Sequence, residues 1–274
     1  MKGFAFKCHL GHYVFAIEDI EDSKLSNMTL DPLQNLTIVT YASDDHFPET
    51  KMMLYLWRYK YPKIPIIFYS LGLTNSQKSE LSKVCLLTVR EFDFAKYPPH
   101  VKILQNYAFK MAILGEVYKT NEFFYLMDSS LRPFNSSAFL DYIEASYVEK
   151  VCKQRMYSYL PIQKELNDRI QFAGGSILVK RSAFSSQIIK WALLCAMTDE
   201  CISPVGSFRE CDFPKGITTC HRYDQSMLNI LLYNALQESP DWDKMVLDWP
   251  YNDAESVRRE NQWNFTLPKE ILCI

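Results

Sequence analysis

Short apolar runs alternate with helical patterns along the first half of the chain. Such runs, bounded by polar and turn-forming residues, predict buried β-strands, and apolar residues at helical spacing between them predict helices. The predicted strands lie at residues 36–41, 66–69, 84–89 and 123–127, and the helices at 47–59, 75–83 and 106–118. This alternation is typical of α/β proteins that have a mostly parallel central sheet flanked by helices.

The second half of the chain has a less regular pattern. Its predicted elements are helices at residues 139–151, 182–197 and 224–236, and a strand at 176–179. After residue 240, tryptophans stand among polar residues, so we expect this C-terminal part to pack as irregular structure over the sheet. Because the chain shows no internal repeat, we interpret residues 30–274 as a single domain and residues 1–29 as an N-terminal lead-in.

Composition narrows the classes of function. Of the 274 residues, 48% are hydrophobic and 23% are charged, a composition typical of globular proteins. A chain of this length can bury one large core. The net charge is −2 and basic residues form no long run, so we expect no binding of nucleic acid. The longest apolar run, residues 188–197, is about half of a bilayer span, and residues 1–20 contain histidines and acidic residues. We therefore expect membrane association only through an anchor that this chain lacks.

Cysteines and glycosylation sequons favour an oxidising compartment. Four of the eight cysteines lie between residues 195 and 220 without a C-x-x-C pair, so disulfides are a better interpretation than zinc. Four N-x-S/T sequons begin at Asn27, Asn35, Asn135 and Asn264. These features predict the lumen of the secretory pathway, and the alternative is a cytosolic protein with reduced, buried thiols.

The motifs of several large enzyme classes are absent from the sequence. It contains neither G-x-G-x-x-G nor G-x-x-x-x-G-K-[ST], which argues against dinucleotide oxidoreductases and P-loop NTPases. It also lacks the G-x-S-x-G element of serine hydrolases. Candidate chemistry therefore has to come from polar residues at the carboxyl ends of the predicted strands, where ligands bind in open α/β sheets.

Two acidic residues follow predicted strands directly. Asp44 lies in the polar segment after the first strand, and Asp128 closes a strand of apolar residues. A carboxylate in the second position has to face a cleft, accept hydrogen bonds or bind a cation, and a diphosphate-binding metal needs such a ligand. The alternative is that Asp128 caps the following turn through Ser129 and Ser130.

Further candidates lie on predicted helices and turns. Residues 221–225 begin a helix, where backbone N–H groups favour phosphate, so Asp224 is either a base or sugar contact or an N-cap. Gly174 and Gly175 permit close approach of a ligand to the backbone, although they also suit a plain turn. Lys110 is the only cation in an apolar helical stretch, and it either faces a diphosphate or extends to solvent.

Five segments together carry a resemblance to a known family. They read YASDDHF at residues 41–47, YAFKMAILGEVY at 107–118, FFYLMDSSLRPF at 123–134, AGGSILVKRS at 173–182 and CHRYDQSMLNILLYN at 220–234. They resemble the nematode-expanded family called domain of unknown function 1647, which is similar to glycosyltransferases of the GT-A fold. The resemblance covers roughly residues 30–240 and implies a Rossmann-like, nucleotide-sugar-binding sheet, residence in the Golgi and a type II anchor.

The matching positions imply roles for individual residues. Asp128 would take the place of the D-x-D metal motif, in which Ser130 replaces the second carboxylate, and His221 would be a late metal ligand. Asp224 and Gln225 would face the reacting sugar as catalytic residues. The residues that would bind the donor or shape the acceptor side are Asp44, Lys110, Asp128, Ser130, Gly174 and Gly175.

The resemblance implies a glycosyltransferase that moves a sugar from a nucleotide-diphosphate sugar to a hydroxyl of a glycan or glycoprotein. The donor would be a UDP-sugar, and Mn²⁺ or Mg²⁺ held by Asp128 would stabilise the leaving diphosphate. Because the second carboxylate of D-x-D is missing, the alternative is a catalytically inactive GT-A-like module that binds glycans or a protein. A metal-dependent hydrolase of nucleotide-sugars is a third interpretation.

Overall fold

A five-stranded sheet forms the centre of the computed structural model, with the strand order β3-β2-β1-β4-β8. The structure describes residues 3–15, 17, 35–133, 145–146, 154–161, 171–172, 174–207, 221–236, 257–259 and 265–273. The strands are β1 (Thr37–Ala42), β2 (Ile66–Ser70), β3 (Leu87–Glu91), β4 (Phe123–Met127), β5 (Leu131–Pro133), β6 (Ala145–Ser146), β7 (Gln171–Phe172), β8 (Ser176–Lys180) and β9 (Val257–Arg259). The helices are α1 (Gly11–Phe15), α2 (Phe47–Lys60), α3 (Asn75–Leu81), α4 (Ala108–Tyr118), α5 (Gln154–Tyr159), α6 (Ala183–Ala196), α7 (Asp199–Ile202) and α8 (Asp224–Leu236).

Helices cover both faces of this sheet because its central strands are apolar on both sides. Every residue of β1 and β2 is buried, and neighbouring residues of a strand point to opposite faces. Val39 packs in the core with α4, α6 and α8. Ile38 packs in a second core with Trp57 of α2. The predicted α/β class, with a mostly parallel sheet flanked by helices, is confirmed.

Strand β8, at one edge of the five-stranded sheet, runs in the opposite direction to the other four strands. Strands β1 to β4 are parallel neighbours, whereas β8 pairs antiparallel with β4, so that Met127 lies opposite Ser176. The start of β8 therefore lies beside the end of β4. The backbone N–H of Asp128 donates to the carbonyl of Gly175 over 2.8 Å, which joins the glycine turn to the edge where ligands bind in such sheets.

Two predicted elements differ from the structure. Strand β3 begins at Leu87 instead of residue 84, because Val84 forms an isolated bridge with Leu272. The helix predicted at residues 139–151 is wrong at Ala145–Ser146, which form β6 and pair with β7. The rest of that predicted helix lies outside the described residues. The C-terminal part, predicted to be irregular, contributes β9, which pairs with β5.

The described part of the chain contains two disulfides. Cys195 and Cys201 are joined between α6 and α7, which confirms the predicted disulfide chemistry for part of the cysteine-rich stretch. Cys85 is joined to Cys273 near the end of the chain. The other two cysteines of the stretch, Cys211 and Cys220, lie outside the described residues. Among the helices that the structure describes, none combines the length and the apolar character needed to cross a membrane.

Candidate functional site

A buried ion cluster of Lys110, Asp128 and Asp224 lies at the carboxyl end of β4. The Nζ atom of Lys110 is 2.9 Å from Oδ1 of Asp128 and 3.0 Å from Oδ2 of Asp224. It also donates a hydrogen bond to the carbonyl of Gly174 over 3.3 Å. The three charged side chains are only 4%, 15% and 5% exposed. Burial at this level excludes the alternative that Lys110 extends to solvent.

Four separate elements bring these groups together. Lys110 lies in the first turn of α4, which is preceded by Tyr107 in a left-handed conformation with φ 57°. Asp128 follows β4, Gly174 precedes β8, and Asp224 is the first residue of α8. The antiparallel course of β8 is what places Gly174 beside the end of β4. Lys110, Asp128, Gly174 and Asp224, which the sequence offers as separate candidates, thus lie together at one edge of the sheet.

Aromatic rings complete the surroundings of the ammonium group. The Nζ of Lys110 lies 4.6 Å from the ring centroid of Tyr107 and 5.8 Å from that of Tyr41. Such positions attract a cation through the negative faces of the rings. The hydroxyl of Tyr41 donates to Oδ1 of Asp128, so one carboxylate oxygen is shared by a lysine and a tyrosine. The ring of Tyr223 packs against Tyr107, which extends this wall towards α8.

Burial and charge act in opposite directions on the cluster. Desolvation lowers the pKa of Lys110, but the carboxylates of Asp128 and Asp224 outweigh it and hold that pKa well above its usual value. Desolvation raises the pKa of Asp224, and Lys110 offsets part of this rise. Burial, reinforced by Asp128, raises the pKa of the Tyr41 hydroxyl well above its usual value. Lys110 thus remains a cation between two carboxylates, and Tyr41 remains a neutral donor.

Gly174 allows α8 to approach the start of β8 very closely. A Cβ atom at this position would lie 3.1 Å from Oδ2 of Asp224 and 3.2 Å from Cα of Gln225. Any side chain would therefore press on the first turn of α8. Gly174 and Gly175 form a turn before β8, which is the plain-turn alternative, and the close neighbour of Gly174 is the protein's own helix α8. Approach of a ligand to this backbone stays a prediction.

Three other predicted residues lie around the cluster. Ser130 is buried in the turn that follows β4. Gly175 accepts the backbone hydrogen bond of Asp128, and Gln225 is buried next to Asp224 in α8. The structure thus brings Ser130, Gly175 and Gln225 to the same edge of the sheet as the ion cluster.

Asp44 is placed in a different setting. It begins a short 3₁₀ turn after β1, is exposed, and accepts a hydrogen bond from Nε2 of Gln77 in α3 over 2.5 Å. Its position after β1 matches the predicted loop, and its carboxylate ties that loop to the neighbouring helix. Contact of Asp44 with a nucleotide stays a prediction.

The residues that the structure describes do not form a site for a divalent metal. His221 is fully buried, and its Nε2 bonds to the carbonyl of Ile202 over 2.9 Å, so that nitrogen points into protein. The Oδ1 atom of Asp128 already binds Lys110 and Tyr41. Within the part of the chain that the structure describes, no three His, Cys, Asp or Glu side chains are grouped as metal ligands. The predicted pair of Asp128 and His221 therefore does not fit Mn²⁺ or Mg²⁺, because an ammonium group takes the cation's place beside Asp128.

Sequence reasoning missed the two tyrosines of the site. Tyr41 and Tyr107 both lie within segments that carry the family resemblance, but aromatic residues at strand and helix ends usually serve packing. The available signal was the position of Tyr41 at the carboxyl end of β1, the strand beside β4. A rule that considers hydroxyl donors as well as charged residues at this edge would have found it.

The N-terminal part of the chain matches a known protein family. The family model described as "Protein of unknown function (DUF1647)" matches residues 2–115, less than half of the chain, and it is the family that the sequence motifs resemble. Of the proteins with curated functions, none matches.

Solved structures of glycosyltransferases are similar to the chain at low identity. The galactosyltransferase LgtC in complex with donor and acceptor sugar analogs is 14% identical with a TM-score of 0.41, over 71% of this chain and 70% of that chain. An active-site mutant of LgtC is 14% identical with a TM-score of 0.35, over 57% of this chain and 62% of that chain. The apo-form glycosyltransferase GlyE of Streptococcus pneumoniae TIGR4 is 12% identical with a TM-score of 0.43, over 84% of this chain and 56% of that chain.

Proposed function

We propose that this protein transfers a sugar from a nucleotide-diphosphate sugar to a hydroxyl group of a glycan or glycoprotein, with UDP-sugars as the first candidates for the donor. The observation that carries the proposal is the buried ion cluster at the carboxyl end of β4. The carboxylates hold the pKa of Lys110 well above its usual value and burial raises the pKa of Asp224, and shifted pKa values at this edge of an α/β sheet are typical of functional sites. The motif resemblance to GT-A glycosyltransferases supports the same reaction.

Each charged group has a chemical task in this proposal. Glycosyl transfer with inversion needs a base that takes the proton from the acceptor hydroxyl, and Asp224 is the candidate. If the configuration is retained, the same carboxylate stabilises an oxocarbenium-like state. Lys110 holds Asp224 and Asp128 in fixed positions and offsets one of their two negative charges. Gln225, beside Asp224, faces the sugar.

Divalent metal is not assigned a step in this reaction. Mn²⁺ or Mg²⁺ would neutralise the leaving diphosphate when bound. Asp128 and His221 do not form a site for such an ion. We therefore assign neutralisation of the diphosphate to Lys110 alone, whose protonated ammonium lies 3.0 Å from Asp224, the first residue of α8. The N-terminal end of a helix favours negative charge, which adds to that contribution.

The direct test measures binding and transfer with purified, oxidised protein. Thermal unfolding is followed with UDP, GDP and their sugars, with and without Mn²⁺, and release of the nucleotide diphosphate is measured with glycan acceptors. A ligand that binds only the folded protein raises the melting temperature. Nucleotide-sugar binding with acceptor-dependent release supports a transferase, whereas binding with acceptor-independent release supports a hydrolase. Absence of any shift contradicts both.

Asparagine at Asp224 is expected to lower the turnover number by about 10²–10⁴-fold, the usual contribution of a general base. Because desolvation raises the pKa of Asp224 and the base works deprotonated, the rate should fall with decreasing pH at a higher pH than an ordinary aspartate would give. A pH–rate profile of the native protein measures this limb. If the asparagine variant keeps full activity, or if the limb lies where an ordinary carboxyl titrates, Asp224 is not the base.

Alanine at Gly174 is expected to reduce donor binding at least about tenfold, while the overpacking lowers the free energy of unfolding by only about 1–3 kcal/mol. The new Cβ would push on Asp224 and Gln225 and so move the first turn of α8. Gly115→Ala is the matched control, because its Cβ would meet Leu193 at 2.8 Å between α4 and α6. That variant should lose similar stability in thermal unfolding but keep donor binding in titrations. Equal binding by both variants would contradict a role for the Gly174 turn.

One observation favours an inactive module as the second candidate. The Lys110 ammonium lies within 3.3 Å of Asp128, Asp224 and the carbonyl of Gly174, so a diphosphate has to displace one of these neighbours to reach it. With Ser130 in place of a second carboxylate, such a protein would keep the fold and bind glycans or a protein partner. Glycan binding without any nucleotide binding is the result that selects this candidate.

We also propose that the protein works in the secretory pathway, with the Golgi lumen as the first candidate, and that residues 30–274 form one GT-A-like domain. Two disulfides support an oxidising compartment. Asn35, the acceptor residue of one sequon, is exposed two residues before β1, where a glycan could be attached. Digestion of the secreted protein with a glycosidase, followed by mass spectrometry, tests occupancy of Asn35.

A further inference from the structure

A cavity adjoins the ion cluster at Gly174. This cavity, of about 350 Å³, lies between the start of α6, the face of α8 and strand β8. Its wall is mainly apolar and includes Ile177, Ile189 and Leu228. Gly174 and Gln225 also line it, so the cavity borders on the same residues that contact Lys110 and Asp224. Its volume is within the range of pockets that hold small ligands.

Gln225, which lines this cavity, carries a buried hydrogen-bond donor without a partner among the described residues. Gln225 is 5% exposed, and its Nε2 atom is buried without a hydrogen-bond partner in the described part of the structure. A buried amide nitrogen without a partner costs folding free energy, so such groups point to a bound molecule that completes them. The expected molecule brings an acceptor oxygen to Gln225 and an apolar part to the rest of the wall.

The chemistry of sugars restricts what can meet both conditions. An unsubstituted hexose presents hydroxyl groups, and a hydroxyl placed against the apolar wall loses its hydrogen bonds to water. An acylamino group instead carries a carbonyl oxygen, which accepts a hydrogen bond, and a methyl group, which suits an apolar wall. A sugar held at the ion cluster would extend such a substituent past Gln225 into the cavity.

We propose that this cavity receives the N-acetyl group of a 2-acetamido sugar, so that the donor is a nucleotide-diphosphate N-acetylhexosamine. Nε2 of Gln225 donates to the acetyl carbonyl, and the methyl group packs on the cavity wall. This inference rests on the proposed transferase function and adds the class of the sugar. It assigns Gln225 to substrate selection in addition to its contact with the reacting sugar.

The test compares the dissociation constants of UDP-N-acetylglucosamine, UDP-N-acetylgalactosamine, UDP-glucose and UDP-galactose by calorimetric titration. The acetamido sugars are expected to bind the native protein at least about tenfold more tightly than the hexoses, because the hexoses lack the acetyl group that Gln225 and the apolar wall would bind. In Gln225→Leu this ratio should fall towards one. Leu228→Trp, which fills the cavity from a partly exposed position of α8, should also remove the preference if Gln225→Leu does not fold.

The outcomes separate this inference from the function on which it rests. A preference for acetamido sugars that both variants abolish supports it. Equal binding of acetamido and unsubstituted sugars overturns it and leaves the transferase proposal standing, as does a preference that survives in both variants. If no nucleotide-sugar binds, the transferase proposal fails and the inference fails with it.

Discussion

Methionine at Lys110 is expected to lower the free energy of unfolding by about 3–5 kcal/mol and to abolish donor binding. Removal of the ammonium leaves Asp128 and Asp224 buried side by side without a counter-ion, and an unpaired buried charge has a cost of this size. Chemical unfolding followed by circular dichroism gives the stability, and calorimetric titration gives the binding.

Lys78→Met is the matched control for this prediction. Its ammonium pairs with Glu91 at 3.2 Å, but these side chains are 31% and 56% exposed. A pair at the surface contributes about 1 kcal/mol or less, so this variant should unfold almost like the native protein. If the two variants lose equal stability, the ion cluster is not the buried network described above. Adding Asp128→Asn and Asp224→Asn to Lys110→Met should recover part of the lost stability, because the uncompensated charges are then gone.

Replacement of Cys85 and Cys273 by serine is expected to lower the free energy of unfolding by about 5 kcal/mol, because the disulfide closes a loop between residues 188 positions apart and so restricts the unfolded chain. Reduction of the native protein should act in the same direction. Thermal unfolding with and without a reductant measures the effect.

The second disulfide provides the comparison. Cys195 and Cys201 are only 6 positions apart, so the same reasoning gives about 2 kcal/mol for their replacement. The double-serine variant at these positions should therefore unfold at a higher temperature than the variant at Cys85 and Cys273. The reverse order would show that local packing between α6 and α7 outweighs the entropy of the unfolded chain.

Local signals in the sequence were sufficient for most of the sheet and its helices. Strand β4 and helix α8 have the bounds predicted, because an apolar run between polar residues and a polar helix start are both properties of a few neighbouring residues. Strand β3 starts late because Val84 pairs with Leu272, a partner that no local pattern indicates. The helix predicted across Ala145–Ser146 fails there for the same reason, since β7 is a distant partner. Tertiary pairing overrides local preference in both places.

The charged residues of the site could be predicted, but their arrangement could not. Lys110, Asp128 and Asp224 attracted notice because charge is rare in apolar segments and at strand ends. Their mutual pairing follows from the antiparallel direction of β8 and from the close approach of α8 at Gly174, which are properties of the assembled fold. The expectation of a metal at Asp128 assumed that this carboxylate was free to bind one, whereas Lys110 and Tyr41 already engage it.

The order in which the chain is synthesised gives the ion cluster a further consequence. A ribosome releases Lys110 before Asp128 and long before Asp224, and a domain folds as a unit during synthesis. Until α8 has been made, a sheet that closed around α4 would enclose an ammonium group with only part of its counter-charge. Nascent chains that stop before residue 224 should therefore stay open to proteases around α4, and completion of α8 should be the event that seals this region.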